Sequence, residues 1–119
     1  MACVLIVEDD PDIRDFMQFL LSSSGYETMT AANGREALER MRERTPCMVL
    51  LDLMMPVMDG WQFLSERSAD AASPKVPVVL LSGLPFIPNA IGVSDFLSKP
   101  INPSRLLDCV ARFCRRPGA

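Results

Sequence analysis

Carboxylates stand at the ends of two short apolar runs, where they need a partner or a task. Residues 49–51 lead directly into Asp52, and residues 4–7 lead into Glu8 and Asp9. A short apolar run bounded by turn residues is typical of a strand buried on both faces of a sheet. A charge at the end of such a strand is costly unless it is paired, metal-bound or used in chemistry. Asp52 is therefore a candidate functional residue, and a loop position that faces water is the alternative.

Two further polar side chains end apolar runs later in the chain. Ser82 follows residues 76–81, and Lys99 follows residues 93–98. Because the carboxyl ends of parallel strands meet at one edge of a sheet, these side chains and the carboxylates are predicted to gather there. Carboxylates held together repel each other unless a cation neutralises them. Oxygen ligands without His or Cys favour a hard ion such as Mg²⁺.

This combination of groups suits phosphoryl transfer onto an aspartate. Asp52 would be the carboxylate nucleophile, Lys99 a mobile positive charge for phosphoryl oxygens, and Ser82 a hydroxyl donor to the same group. Each residue also has a simpler interpretation. Lys99 could be solvated, Ser82 could be an ordinary strand-end hydroxyl, and Glu8-Asp9-Asp10 could only cap a helix. For Asp10, which precedes Pro11, we predict this role as the helix N-cap.

The elements that must carry these side chains alternate between strands and helices. Strands are predicted at residues 4–7, 26–31, 47–51, 76–81 and 93–98. Helices are predicted from Asp10 to Gly25, from a turn at Asn33-Gly34 to about Arg44, from Trp61 to about Ala69, and across residues 106–113. This alternation indicates an α/β fold with a parallel sheet covered on both faces. Residues 83–92 contain two prolines and two glycines, which leave little room for a full helix.

Composition limits the class of protein. A chain of 119 residues with 49% apolar and 23% charged residues is typical of one soluble globular domain. The absence of histidine excludes a His-based triad, a histidine metal site and an internal phosphohistidine. A net charge of −3 argues against direct nucleic-acid binding. No membrane span or signal peptide is recognisable, so we expect a cytoplasmic protein without a membrane partner.

The four cysteines show no CxxC spacing and lie in apolar or helical stretches. They are Cys3, Cys47, Cys109 and Cys114. We expect them to be buried, unbridged thiols in a reducing compartment rather than a metal site or a disulfide framework.

The complete pattern resembles the response-regulator receiver domain of two-component signalling. The resemblance is carried by Glu8-Asp9, by Asp52 within Asp-Leu-Met-Met-Pro-Val-Met-Asp-Gly, by Ser82 and by Lys99-Pro100. It covers nearly the whole chain and implies a single domain over residues 1–119, with 115–119 as a tail or the start of a linker. It also implies a flavodoxin-like three-layer sandwich whose five parallel strands have the order 2-1-3-4-5, with residues 83–92 in place of a full fourth helix.

The resemblance also implies a phosphoacceptor site. Asp52 would accept a phosphoryl group from the phosphohistidine of a histidine kinase or a phosphotransfer protein. Mg²⁺ would be held by Asp9, Asp52 and the backbone carbonyl of Met54, with Glu8 binding directly or through water. Glu8 stands where aspartate is commoner, and its extra methylene favours the water-bridged contact.

Signalling would follow from a coupled movement of two residues. Lys99 would pair with the phosphoryl oxygens, Ser82 would move toward them, and Phe96 would rotate inward, so that a charge change biases the surface offered to a downstream protein. Met54 and Leu84, both apolar, would slow the loss of the phosphoryl group. The domain would accept a phosphoryl group without being a turnover enzyme.

Two other functions fit parts of the pattern. The segment between Ser82 and Lys99 is shorter than is usual in the family, which is consistent with an interaction module that works independently of phosphorylation. An aspartate-nucleophile phosphatase of the haloacid-dehalogenase type requires a second acid two residues after the nucleophile. Met54 occupies that position, so the sequence argues against a phosphatase of this type.

Overall fold

The computed structural model describes residues 3–52, 76–83 and 93–114. Its elements in chain order are β1 (Cys3–Val7), α1 (Pro11–Ser23), β2 (Glu27–Ala31), α2 (Gly34–Glu43), β3 (Met48–Asp52), β4 (Val78–Ser82), β5 (Asp95–Ser98) and α3 (Pro103–Phe113). All neighbouring strands are parallel, in the order β2-β1-β3-β4-β5. This order confirms the predicted fold. The predicted helix at 61–69, nearly all of the atypical region 83–92, and the tail 115–119 lie outside the described residues.

Alternating side chains of the strands form two hydrophobic clusters, one on each face of the sheet. On one face, Val7, Leu51 and Leu80 pack with Ala37 of α2. The opposite face packs against Met17 of α1 and Leu106 of α3; its strand residues include Val4, Ile6, Met48, Leu50, Val79 and Leu81. β1, β3 and β4 are buried along their whole length, so each large apolar side chain contributes about 1.5–3 kcal/mol. The sheet is therefore the middle layer of three.

Polar caps define the starts of the helices. Asp10 accepts a hydrogen bond from the backbone N–H of Asp12 at 2.9 Å, as predicted for an N-cap before a proline. Past the other end of α1, Gly25 has a φ of 94°, a left-handed conformation that favours glycine.

Helix α2 begins at Gly34, at the predicted turn, and ends at Glu43, next to the predicted end at Arg44. Asn33 is the N-cap and accepts a hydrogen bond from the backbone N–H of Glu36 at 3.0 Å. The Glu36 side chain reaches back to the N–H of Ala32 at 3.4 Å, in the manner of a capping box. Asn-Gly is a strong turn signal, but asparagine is equally favoured at an N-cap.

The prediction that all four cysteines are unbridged is wrong for Cys47 and Cys114. These two form a disulfide with a Cα–Cα distance of 5.5 Å, although 67 residues separate them in the chain. Cys3 and Cys109 are buried free thiols, as predicted. A pairing over this separation leaves no local spacing pattern, because it depends on the fold that brings the end of α3 beside the start of β3.

No helix in the part of the chain that the structure describes is long and apolar enough to cross a membrane.

Candidate functional site

The register of the sheet brings the polar strand ends to one edge. Val7 is opposite Leu51, so the next residues along β1 and β3, Glu8 and Asp52, are neighbours. Farther across the sheet, the register pairs Asp52 with Leu81, and pairs Ser82 with Ser98, the residue before Lys99. Parallel pairing therefore places the ends of four strands in one row.

Glu8 is held rigidly by its backbone. Its N–H donates to the carbonyl oxygen of Ala31 at 3.0 Å, and its carbonyl oxygen accepts from Nη1 of Arg14 at 3.0 Å. The side chain is fully buried. Sequence reasoning missed Arg14, although its position in the first turns of α1 puts its long side chain within reach of the end of β1.

Lys99 connects the carboxylates. Its Nζ donates to Oε1 of Glu8 at 2.7 Å and lies 3.4 Å from Oδ2 of Asp52. Its backbone N–H donates to the carbonyl oxygen of Ser82 at 2.8 Å, which ties the end of β5 to the end of β4. Lys99 thus links the side chains of Glu8 and Asp52 with the backbone of Ser82.

The buried position changes the ionisation of this cluster. Burial and the adjacent Asp52 carboxylate together raise the pKa of Glu8 from 4.5 to about 8, against a smaller lowering by the Lys99 ammonium. Burial lowers the pKa of Lys99, but its contacts with Glu8 and Asp52 outweigh burial, so the pKa of the ammonium lies above its ordinary value. At neutral pH without a metal ion, Lys99 is charged and Glu8 keeps its proton.

The donor set fits a hard divalent cation. Carboxylate oxygens of Glu8, Asp9 and Asp52 lie within 4.8 Å of one another, two of them on buried residues and one on an exposed residue. Oε2 of Glu8 is buried and receives no hydrogen bond from the described residues, so it requires either a proton or a cation. All three ligands are oxygen atoms, which is the set that Mg²⁺ prefers. The Met54 carbonyl, predicted as a further ligand, lies outside the described residues, as does Leu84.

An open cavity of about 370 Å³ adjoins the cluster. Its wall includes Asp9, Asp52, Ser82 and Lys99, so the side chains predicted to act together share one space. Ser82 is almost fully buried there. Phe96 is elsewhere: it lies on β5 with 54% of its surface exposed and is not among the described residues that line the cavity.

The strand order and the position of the site indicate the class of fold. Five parallel strands in this order, with an acidic cluster and a lysine at their carboxyl ends, place the chain in the doubly wound α/β class. The family model described as the response regulator receiver domain matches residues 4–111. The chain belongs to this family, whose members are signalling modules of two-component systems.

Related proteins agree with this assignment. The chain is 35% identical over 122 residues to response regulator Rre1 of Synechocystis, in a match that covers 98% of this chain and 53% of Rre1. It spans about half the length of this relative. Among solved structures, chemotaxis protein CheY4 of Vibrio cholerae is 33% identical with a TM-score of 0.86, over 96% of this chain and 99% of that chain. The receiver domain of NtrX from Brucella abortus is 35% identical with a TM-score of 0.81, over 92% of this chain and 95% of that chain.

Proposed function

We propose that this chain is the phosphoacceptor of a His-to-Asp phosphorelay and that Asp52 carries the phosphoryl group. The observation that carries the proposal is the position of Lys99, which lies between Glu8 and Asp52 beside an open cavity. A lysine held against two carboxylates is well placed to exchange one of these contacts for an oxygen of a phosphoryl group bound to Asp52.

Asp9, Asp52 and the Met54 carbonyl would hold Mg²⁺, with Glu8 binding directly or through water. When bound, the ion neutralises negative charge that accumulates on the carboxylates and the transferring phosphoryl oxygens. The residues of the chain supply the rest. A carboxylate oxygen of Asp52 forms a bond to phosphorus as the bond from phosphorus to the donor imidazole nitrogen breaks, and the electron pair of that bond goes to the imidazole.

Signal output would pass through protein contacts. The hydrogen bond from the Lys99 backbone to Ser82 supports this proposal, because it connects the ends of β4 and β5 behind the cavity. A movement of Ser82 toward the phosphoryl group would shift β5 through this hydrogen bond. Phe96 lies on β5, three residues before Lys99. The phosphodonor would be a histidine kinase or a phosphotransfer protein in the cytoplasm, and the target another protein rather than nucleic acid.

The test is to incubate the protein with acetyl phosphate and Mg²⁺ and to measure intact mass. We expect a gain of one phosphoryl group that is lost in EDTA and in Asp52→Asn. Asp12→Asn is the matched control, because Asp12 is an exposed carboxylate on α1. The control should behave like the wild-type protein.

Three outcomes would contradict the proposal. A folded protein that takes up no phosphoryl group from acetyl phosphate or from a phosphohistidine donor would favour a phosphorylation-independent interaction module. Continuous hydrolysis of a generic phosphate ester would instead indicate an aspartate-nucleophile phosphatase. A gain of mass that persists in Asp52→Asn would place the modification on another residue.

A further inference from the structure

The disulfide between Cys47 and Cys114 lies at the edge of the sheet opposite the acidic cluster. Cys47 directly precedes β3, and Cys114 directly follows the last residue of α3. Asp52 is at the other end of β3, about 16 Å away at the rise of a strand. The bond can therefore form or break without a direct effect on the carboxylates.

The disulfide closes a long covalent ring. The two cysteines are 67 residues apart, and the ring contains β3, β4, β5 and α3. It therefore includes Asp52, Ser82 and Lys99, whereas Glu8 lies outside it. A cross-link over such a length removes much of the freedom of the unfolded chain. This half of the domain should depend on the bond for its stability.

The surroundings of Cys47 accommodate the thiol as well as the disulfide. Its Sγ lies 3.3 Å from the carbonyl oxygen of Cys3. A disulfide sulfur carries no hydrogen, so this contact becomes a hydrogen bond only when the bond is reduced and Cys47 has a thiol hydrogen to donate. Cys47 is half-buried and Cys114 is 2% exposed, so exchange with a soluble thiol begins at Cys47.

The two remaining cysteines do not compete for the bond. Burial raises the pKa of the Cys3 thiol and that of the Cys109 thiol. Both are buried, and a protonated thiol is a poor nucleophile in disulfide exchange. The reactive pair is thus restricted to Cys47 and Cys114.

We propose that Cys47 and Cys114 form a reversible thiol–disulfide site, which couples the redox state of the surroundings to the stability of α3 and its ring. The Cys47 thiolate attacks a small disulfide such as glutathione disulfide and displaces one glutathione thiolate. The Cys114 thiolate then attacks Cys47 in this mixed disulfide and displaces the second glutathione. Two electrons pass from the cysteines to glutathione, and the two protons that the cysteine thiols lose are taken up by the released thiolates. The inference goes beyond the proposed phosphoacceptor function and does not depend on it.

The test uses the full chain, equilibrated with mixtures of reduced and oxidised glutathione from both the reduced and the oxidised protein. Free thiols are then alkylated under denaturing conditions and located by peptide mapping. We expect Cys47 and Cys114 to become protected together, to the same extent from both directions, while Cys3 and Cys109 stay alkylated. Reduction should lower the thermal midpoint by about 10 °C or more. It should also speed amide exchange in α3.

Serine variants separate the pair from the other thiols. Cys47→Ser and Cys114→Ser should lose the redox response of the thermal midpoint, and Cys3→Ser and Cys109→Ser, the matched controls, should keep it. The oxidised and reduced forms of the wild-type protein can be compared without any substitution. The proposal can therefore be tested even if a serine variant does not fold. Uptake of phosphate from acetyl phosphate should be equal in the two redox states.

Two results would overturn the proposal. One is a folded wild-type protein in which Cys47 and Cys114 are alkylated at every glutathione ratio. The other is a linked protein whose thermal midpoint and α3 exchange do not differ from those of the reduced protein. Absence of phosphorylation in both redox states would contradict the phosphoacceptor function alone, since the thiol measurements do not require it.

Discussion

Replacing Glu8 with glutamine should remove a pH dependence from the stability of the metal-free protein. Burial, with Asp52 beside it, raises the pKa of Glu8 from 4.5 to about 8, so the folded state keeps a proton that the unfolded chain releases. A pKa raised by folding gives stability that is fully present below the unfolded value and is lost as the pH rises through the folded value. In EDTA, this group should therefore destabilise the wild-type protein progressively between pH 4.5 and about 8.

The size of the effect follows from the pKa of Glu8. Each unit corresponds to about 1.4 kcal/mol, which gives an upper bound of about 5 kcal/mol. The ionisation of Glu8 depends on its contacts with Asp52 and Lys99 as well as on burial, so we expect a loss of about 2–4 kcal/mol. Glutamine can accept from Lys99 and donate to Asp52 as the protonated acid does, but it cannot ionise. The two proteins should be similar near pH 5, and the variant should be the more stable above about pH 8.

Urea titrations followed by far-ultraviolet circular dichroism measure this difference directly. Glu39→Gln, on the exposed face of α2, is the matched control and should follow the wild-type protein at every pH. Adding Mg²⁺ at high pH should stabilise the wild-type protein more than Glu8→Gln, since the ionised site binds the cation. If the wild-type protein and Glu8→Gln lose the same free energy between about pH 5 and 8.5 in EDTA, Glu8 does not hold the proton and the argument fails.

Four further substitutions test the site, a helix cap and the core. Lys99→Met should leave two carboxylates without their shared cation. We expect the free energy of unfolding of the metal-free protein to fall by about 1–3 kcal/mol in urea titrations, and the extent of phosphorylation to fall at least tenfold. An unchanged mass gain would show that Lys99 takes no part in the proposed chemistry. Asp10→Ala should cost about 1 kcal/mol in thermal unfolding because α1 loses its cap, and an unchanged midpoint would contradict that role. Leu106→Ala should lower the free energy of unfolding by about 2–5 kcal/mol because Leu106 is fully buried. Phe96→Ala should lower it by less than about 1 kcal/mol because the Phe96 ring is mostly exposed. Equal decreases for the two variants in urea titrations would show that Phe96 packs against the chain.

Much of the fold is predictable because the apolar runs are short and their polar ends are sharp. Asp52 and Ser82 are the last residues of β3 and β4, so locating the strands also located the candidate site. The start of α2 was predicted as a turn at Asn33-Gly34, a pair that satisfies the rules for a turn and for a helix cap equally well. The hydrogen bond from the backbone N–H of Glu36 to the side chain of Asn33 shows that Asn33 acts as a helix cap.

The internal pairing of the site could not be predicted from the sequence. Lys99 was predicted to face a phosphoryl group, and its contact with Glu8, 91 residues earlier, depends on a register that the sequence does not state. The proton that Glu8 keeps follows from burial and from the neighbouring Asp52 together. The Cys47–Cys114 disulfide likewise joins residues that are distant in the chain and that only the fold brings together. Residue types at strand ends indicate which groups meet, but distances and burial decide how they ionise.

The strand order divides the sheet at the site itself. β2 and β1 come from the first part of the chain, β3, β4 and β5 from the rest, and the two groups meet only where β1 lies beside β3. Glu8 and Asp9 follow β1 of the first group, whereas Asp52 ends β3 and Lys99 follows β5 of the second. Any ligand bound by these side chains together therefore links the two groups of strands across the boundary between β1 and β3. Binding there should slow hydrogen exchange along the whole of β1, including amides at Val4 and Leu5 that the ligand never approaches.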